Sequence, residues 1–365
     1  MTEKAQEALT AYVFLLPYLF TLVIFFVYGF MRTFYFSFTE YNLFEAPSWV
    51  GLRNYAAIMT EPRFLTALRN SITFSVVVTT AQTVLSLALA LALNQRLRGI
   101  TFFRAAYYTP SVMSSVVITL MFMWLFQRTG AMNYLLTQVL VFRELIMAFL
   151  LGTAVLQGAL VWWERRHGFA AAWWEPSLLV TAMMLSAAAT VVLRTTGVVA
   201  ADLEVNPVAT PWLNTRRYFP DWRFPSAPIP LEALMILNTW TTAPTFMLLY
   251  LAGLQDIPRD LYEAAWVDGA SAWQQFRHIT LPQLRHVTFL VVTLGLIGTL
   301  QMFDQVAVIG DQAPLDSIIT LAYYVYHNVF PGGAIPRIGQ AAAAAVTLAV
   351  LTLAVVLVQR RVVER

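Results

Sequence analysis

The chain has 365 residues, of which 59% are hydrophobic and only 12% charged, with a mean hydropathy of +0.64 and a formal net charge of +3. A soluble domain carries roughly a quarter charged residues, so this composition excludes a wet surface on all sides and puts lipid around the chain. The small net charge, with no basic block, excludes a nucleic-acid grip; the absence of cysteine excludes disulfides, a thiolate nucleophile and a zinc–cysteine site.

Apolar runs of about 20 residues, the length a helix needs to cross the hydrocarbon core, follow one another along the chain. The first, "AYVFLLPYLFTLVIFFVYGFM", ends near Arg32. It is too long for a signal-peptide core, Lys4 alone supplies basic charge before it, and no small-residue cleavage site follows, so it reads as a retained anchor. Further runs cover about 71–93 and 105–126, then two less tidy ones at about 145–163 and 177–193. The last three cover about 233–254, 287–309 and 338–358. The expected fold class is all-α, a polytopic membrane protein of about eight transmembrane helices. Basic residues divide almost evenly between the two sides, but the paired basics fall in the short segments "NQRLRG", "WWERRHG" and "VQRR". Short segments carry the weight of the positive-inside rule, which places the N- and C-termini in the cytoplasm.

Between the sixth and seventh runs lies a polar, helix-forming stretch, "YEAAWVDGASAWQQFRHITLP" (262–282). Pro258 before it suits a first helical position, where its missing N–H has no intrahelical partner. Asp260 sits well against the positive end of the helix dipole. Gly269 is the expected left-handed stop, and Ser271 with Gln274 forms a capping box that starts a second helix, expected to end near Pro282. The local reading is a helix–turn–helix on the inner face, with Ala264 and Ala265 leaving a smooth patch. The same chemistry allows an amphipathic hairpin on the headgroups, with Trp266, Trp273 and Phe276 in lipid.

The full spacing favours the first reading. Glu263-Ala264-Ala265, Gly269, Ile279 and Leu281-Pro282 together resemble the EAA loop of ABC importer permeases. "VGLRNYAAIM" (50–59), "FFRAAYYTPSV" (102–112), "GAMNYLL" (130–136) and "LAGLQDIPRDLYEAA" (251–265) are similar to the carbohydrate-uptake branch, which includes the maltose and glycerol-3-phosphate permeases. The resemblance implies a single permease domain over 1–365, with a cytoplasmic EAA loop over 255–286. It implies that Glu263, Ala264, Ala265, Asp268 and Gly269 dock on an ATPase subunit, while Ile279, Leu281 and Pro282 brace the loop. The implied partners are a second permease in a heterodimer, two ABC ATPase subunits, an extracytoplasmic solute-binding protein and the bilayer, with no nucleic acid. The chain has no G-x-x-x-x-G-K phosphate cradle, so ATP and Mg belong to the ATPase and no cofactor is expected here. No catalytic constellation appears, and His167, His278, His286 and His327 lack a metal-site spacing.

The pattern is interrupted once. In the family "GAMNYLL" soon reaches a Trp-Leu pair, here Trp212-Leu213, and the residues between, about 137–211, form an insertion. The insertion holds the two untidy runs and reads as a transmembrane hairpin; its second run, short and followed by Arg194, also fits an interfacial or re-entrant segment. Arg143 and Glu144 at its outer edge could pair, with a solvated pair of charges as the favoured alternative. "DQAP" (311–314) stands where family members often have Gly-Gly-Pro, so that outer loop is not carried over. For the cargo, the resemblance points to "LNTWTTAPTFMLLY" (237–250) and the following span. Trp240, Thr241, Thr242, Thr245, Thr299 and Met302 are the expected substrate path, against the alternative that the threonines only bond their own helix backbone. Sugar or polyol cargo is expected, with a non-carbohydrate solute as the alternative. An ion-coupled secondary transporter would show inverted repeats and mid-membrane charged relays, and the chain shows neither.

Overall fold

A computed structural model describes residues 3–94, 99–168, 173, 175–199, 201–202, 205–217 and 227–363. The basic pair of "NQRLRG", at 96 and 98, and much of the connector after "WWERRHG" lie outside the described residues. In chain order, α1 (Glu3–Thr21) passes through a widened π turn into α2 (Tyr28–Ser37). A two-stranded hairpin of β1 (Thr39–Glu40) and β2 (Ser48–Trp49) leads to α3 (Arg53–Thr60) and α4 (Pro62–Leu93). Next come α5 (Ile100–Val112), α6 (Ser115–Leu125), α7 (Ala131–Val141), α8 (Arg143–Arg166) and α9 (Pro176–Thr195). After α10 (Ile229–Gln255) stand α11 (Arg259–Val267), α12 (Ala272–Gln275), α13 (Leu281–Gln283) and α14 (Arg285–Leu300). The chain closes with α15 (Asp304–Ile309), α16 (Leu315–Ile318), α17 (Leu321–Val329) and α18 (Ile338–Val363).

Among the described residues, 7 helices are long and apolar enough to cross a membrane, or 8 if the bent pair α5–α6 counts as one span. The run expected over 105–126 is thus not straight: its two halves meet at 97°. Pro110 leaves the Ala106 carbonyl without its usual donor. The hydroxyls of Thr109 and Ser111 also compete for the carbonyls of Ala105 and Tyr108, at 2.9 and 2.7 Å, which bends helices. The run expected over 287–309 is likewise interrupted: α14 stops at Leu300 and α15 begins at Asp304.

Two compact units emerge, 1–122 with 213–365, and 123–212. The first is organised on one stripe of α4. Ser71, Ser75, Thr79, Gln82 and Ser86 recur at helical spacing and are all buried, because polar groups in a lipid-embedded helix must face protein. The Thr299 hydroxyl lies 2.9 Å from that of Ser75 and 3.2 Å from that of Thr79. Thr242 donates to Gln82 Oε1 at 2.6 Å. Gly295 makes this contact possible, since a Cβ there would run into the Gln82 amide. Arg104 closes the far end of α4 by donating to the Leu93 carbonyl at 2.8 Å.

Apolar clusters sit at both ends of this stripe. One gathers Leu93, Met247, Tyr250, Leu254, Leu284 and Val291, the other Ile58, Phe64, Ile319, Leu321 and Tyr324. Beside the second, Asn70 donates to the Ile319 carbonyl at 3.0 Å, Leu321 N–H to Ser71 Oγ at 2.9 Å and Thr320 to the Met302 carbonyl at 2.7 Å. Tyr324 donates to Glu61. Burial, then that carboxylate, pushes the phenol well above its usual pKa. Asn54 ties α3 to the carbonyls of Ser37 and Thr39, at 3.0 and 2.8 Å, directly against Gly339.

The second unit contains α7, α8, α9 and the insertion expected over 137–211. α8 and α9 pack as a hairpin through small residues, as membrane helices do. A Cβ at Gly152 would stand 2.6 Å from Ser186 Oγ, which itself donates to the Phe149 carbonyl at 2.7 Å. Arg166 lies 4.1 Å over the Trp162 ring and Arg165 5.2 Å over Trp173, a cation–aromatic end suited to an interface. The α9 run continues through Arg194 to Thr195 as one regular helix. Arg143 pairs with Asp202 at 3.1 Å and not with its neighbour Glu144, because adjacent helical side chains do not face each other. At the base, Asn133 donates to the carbonyls of Arg128 and Thr210 and accepts from Trp212 Nε1 at 2.8 Å.

Gly339→Ala is expected to cost about 1–3 kcal/mol through overpacking against the Thr39 carbonyl, while Gly29→Ala, with open space around it, is expected to be near neutral; thermal unfolding in detergent separates them. A double-mutant cycle of Ser75→Ala and Thr299→Val, read by the same melts, is expected to return a coupling of about 0.6–1.7 kcal/mol.

Candidate functional site

Two features stand out in the first unit: an exposed loop after α10, and a polar cavity halfway along it. The loop's turns follow from local chemistry. Pro258 is the N-cap of α11, with ψ of 133°, and Arg259 takes the first helical position, one residue later than the sequence suggested. Asp260 stands in the first turn. Gly269 has φ of +77° with open space around it. Its N–H donates to the Trp266 carbonyl at 3.0 Å and that of Ala270 to the Ala265 carbonyl at 2.8 Å, the paired bonds of a Schellman close. Ser271 N–H donates to Gln274 Oε1 at 2.7 Å and Gln274 N–H returns to Ser271 Oγ at 3.4 Å, completing the capping box. The second helix does not end at Pro282. It widens into a π turn over Phe276–Thr280 and resumes as α13, whose first turn takes the proline where a missing N–H costs least.

The loop presents one face and anchors the other. Glu263, Ala264, Asp268 and Gly269 are exposed and Ala265 is half-buried. Beside them Trp266 and Trp273 are 75% and 66% exposed. On the anchored side Ile279 and Tyr262 pack on the apolar cluster around Leu284, which is fully buried, and the hydroxyls of Tyr262 and Thr280 lie 2.9 Å apart. Leu281 and Pro282, expected to brace the loop, are exposed instead. Tyr262, Thr280 and Leu284 hold the loop in their place, a role that depends on burial and so is invisible in a motif. α10 and α14 close on each other directly above, where a Cβ at Gly253 would stand 2.7 Å from Val287.

The cavity, of about 380 Å³, opens where α5–α6 bends and where α14 gives way to α15. Thr241, Thr242, Thr245 and Met302 of the expected path line it. Trp240 does not: it is half exposed, its ring 5.4 Å from that of Phe122. Nor does Thr299, only 3% exposed, whose hydroxyl is committed to the α4 stripe and to the Gly295 carbonyl at 2.7 Å; its neighbour Gly298 reaches the cavity in its stead. The backbone-bonding alternative describes part of the arrangement, since Thr241 and Thr242 both donate to the Asn238 carbonyl, at 3.0 and 2.7 Å. Ser111, Asn238, Asp304 and Gln305 line the cavity as well. The oxygens Asn238 Oδ1 and Gln305 Oε1 are buried with no protein partner among the described residues. The available signal was the cluster of polar residues beside Pro110 and at the broken end of α14.

Loop and cavity share the same two helices. About ten residues of α10, or roughly 15 Å at helical rise, separate Thr245 from the loop, and α14 runs from the loop to Gly298.

This arrangement, an almost wholly helical chain with a polar cavity and an exposed helical loop, is that of a multi-pass membrane protein. The model of the family described as binding-protein-dependent transport system inner membrane component matches residues 82–365. The chain belongs to this family. The trehalose/maltose transport system permease protein MalF of Thermococcus litoralis is 28% identical over 89% of this chain and 86% of its own. The arabinooligosaccharides transport system permease protein AraP of Bacillus subtilis is 26% identical over 95% and 86%. Among solved structures, a bacterial ABC transporter involved in import of the acidic polysaccharide alginate superposes with a TM-score of 0.67, at 18% identity, over 100% of this chain and 98% of that one. That likeness concerns the fold.

Ser271→Ala is expected to destabilise the start of α12 by about 0.5–2 kcal/mol through loss of the cap, seen as faster hydrogen exchange at the amides of residues 272–275 with exchange in α10 unchanged.

Proposed function

We propose that this chain forms half of the translocation path of an ATP-driven importer, carrying a carbohydrate or related polyol delivered by an extracytoplasmic binding protein. The observation that carries this reading is the joining of a polar cavity to an exposed loop through α10 and α14. The exposed Glu263, Ala264, Asp268 and Gly269, with Ala265, form the docking face for an ATPase subunit, and ATP and Mg are used there. This chain supplies neither a cofactor nor a catalytic group. The trehalose/maltose and arabinooligosaccharide systems of the relatives support the cargo class. A second permease completes the path, and the loop, with both termini, faces the cytoplasm.

The mechanism is alternating access. Closure of two ATPase subunits on ATP displaces the loop, and the packing of α10 on α14 at Gly253 transmits that displacement as a tilt of both helices. The cavity then faces the binding protein, receives the cargo, and returns inward after hydrolysis. Gly269→Val tests this, because a β-branched residue at φ of +77° is strained and disrupts the docking face. In vesicles holding the assembled transporter, uptake per ATP hydrolysed is expected to fall at least about tenfold with the subunits still co-purifying. Unchanged uptake per ATP would remove the coupling role from this loop.

A further inference from the structure

The polar wall of the cavity is biased in its hydrogen-bonding sense. The Thr241 hydroxyl spends its proton on the Asn238 carbonyl, and that of Thr242 is taken by Gln82 Oε1 and the same carbonyl. The Ser111 hydroxyl donates to the Tyr108 carbonyl at 2.7 Å. Once its single proton is used, a hydroxyl offers only lone pairs, so these three side chains present acceptors to whatever enters. Asn238 and Gln305 each add a buried amide oxygen without a protein partner among the described residues, beside an amide nitrogen that can donate. Gln305 is 7% exposed, so the fold holds its side chain against the wall. Asp304 adds a carboxylate, an acceptor that also carries charge. Ser115, Thr245 and Gln301 supply neutral donors suited to ring and glycosidic oxygens. Among the described residues, no lysine, arginine or histidine lines the cavity.

Resting on the carbohydrate reading above, we infer that the cavity accepts neutral, hydroxyl-rich saccharides and rejects acidic ones. Each sugar hydroxyl brings a donor for which the wall holds an unpaired acceptor. A uronate carboxylate brings acceptors only. Entering beside Asp304, it would lose its hydration, find no cation on this chain's wall to replace it, and meet a like charge. A site whose buried acceptors are left unpaired discriminates more strongly than one that merely fits a shape. The cavity therefore selects by donor supply and sign of charge, independently of any selection by a binding protein.

The test uses the transporter isolated with its accompanying subunits from its own membranes, in nanodiscs and without binding protein, with saturation-transfer NMR reading weak binding. The neutral probes are maltotriose and xylotriose, and the acidic probes trigalacturonate and trimannuronate. At least one neutral trisaccharide is expected to bind about tenfold or more tighter than either acidic one. Asp304→Lys is expected to shift the neutral-to-acidic affinity ratio by about tenfold toward the acid, and Asp304→Asn by less, assembly of each variant being checked by subunit co-purification. Gln305→Leu removes a buried acceptor and is expected to weaken the neutral trisaccharide about tenfold. Acidic probes binding as tightly as neutral ones, or a ratio unmoved by both Asp304 variants, would overturn the inference and leave the carbohydrate reading standing. Failure of all four probes to bind would remove the carbohydrate reading, and the inference would fall with it.

Discussion

The structure depends on the need of α4 to hide a polar stripe inside an apolar chain. Lipid offers no partners for Ser75, Thr79 and Gln82, so α10 and α14 must supply them. Thr242 and Thr299 do so from the two neighbouring helices. Because each hydrogen bond requires a definite rotation of its helix, the stripe fixes which faces of α10 and α14 remain free. On α10 the free face includes Thr241 and Thr245, and on α14 it includes Gly298. The cavity is the remainder left by this pairing.

The same helices carry the opposite requirement at their other ends, where the loop must stay exposed yet firmly rooted. Tyr262 and Ile279 plug into the apolar cluster around Leu284, while the Schellman close at Gly269 and the box at Ser271 satisfy the turn's backbone locally. Hence the face of Glu263, Ala264, Asp268 and Gly269 can be bared without leaving buried polar groups unpaired.

What was readable from sequence divides by range. The left-handed Gly269 and the Ser271–Gln274 box are set within a few residues, and each stands where local chemistry puts it; the apolar runs stand as helices too, save for the breaks within 105–126 and 287–309. The bend between α5 and α6 was hidden because hydropathy sums over a whole run and does not register which carbonyls lose their donors. Thr299 resembled a cavity residue until its partners Ser75 and Thr79, more than two hundred positions away, claimed it. Arg143 had an acid beside it in sequence and chose Asp202, 59 residues on. Trp240 and Leu281 were misplaced for the same reason: one-dimensional motifs do not say which side of a helix is covered.

The bond from Trp212 to Asn133 spans 79 positions and joins the entry and exit of the α8–α9 hairpin. Two antiparallel helices return the chain to the end from which it departed, and the knot of Asn133, Thr210 and Trp212 sets departure and return side by side. Such an element is closed at its own base. The sequence between the two sides of that base is free to lengthen, shorten or drift, because the register of every later helix is decided after the chain has come back. A lineage can therefore elaborate this branch without renegotiating the trunk.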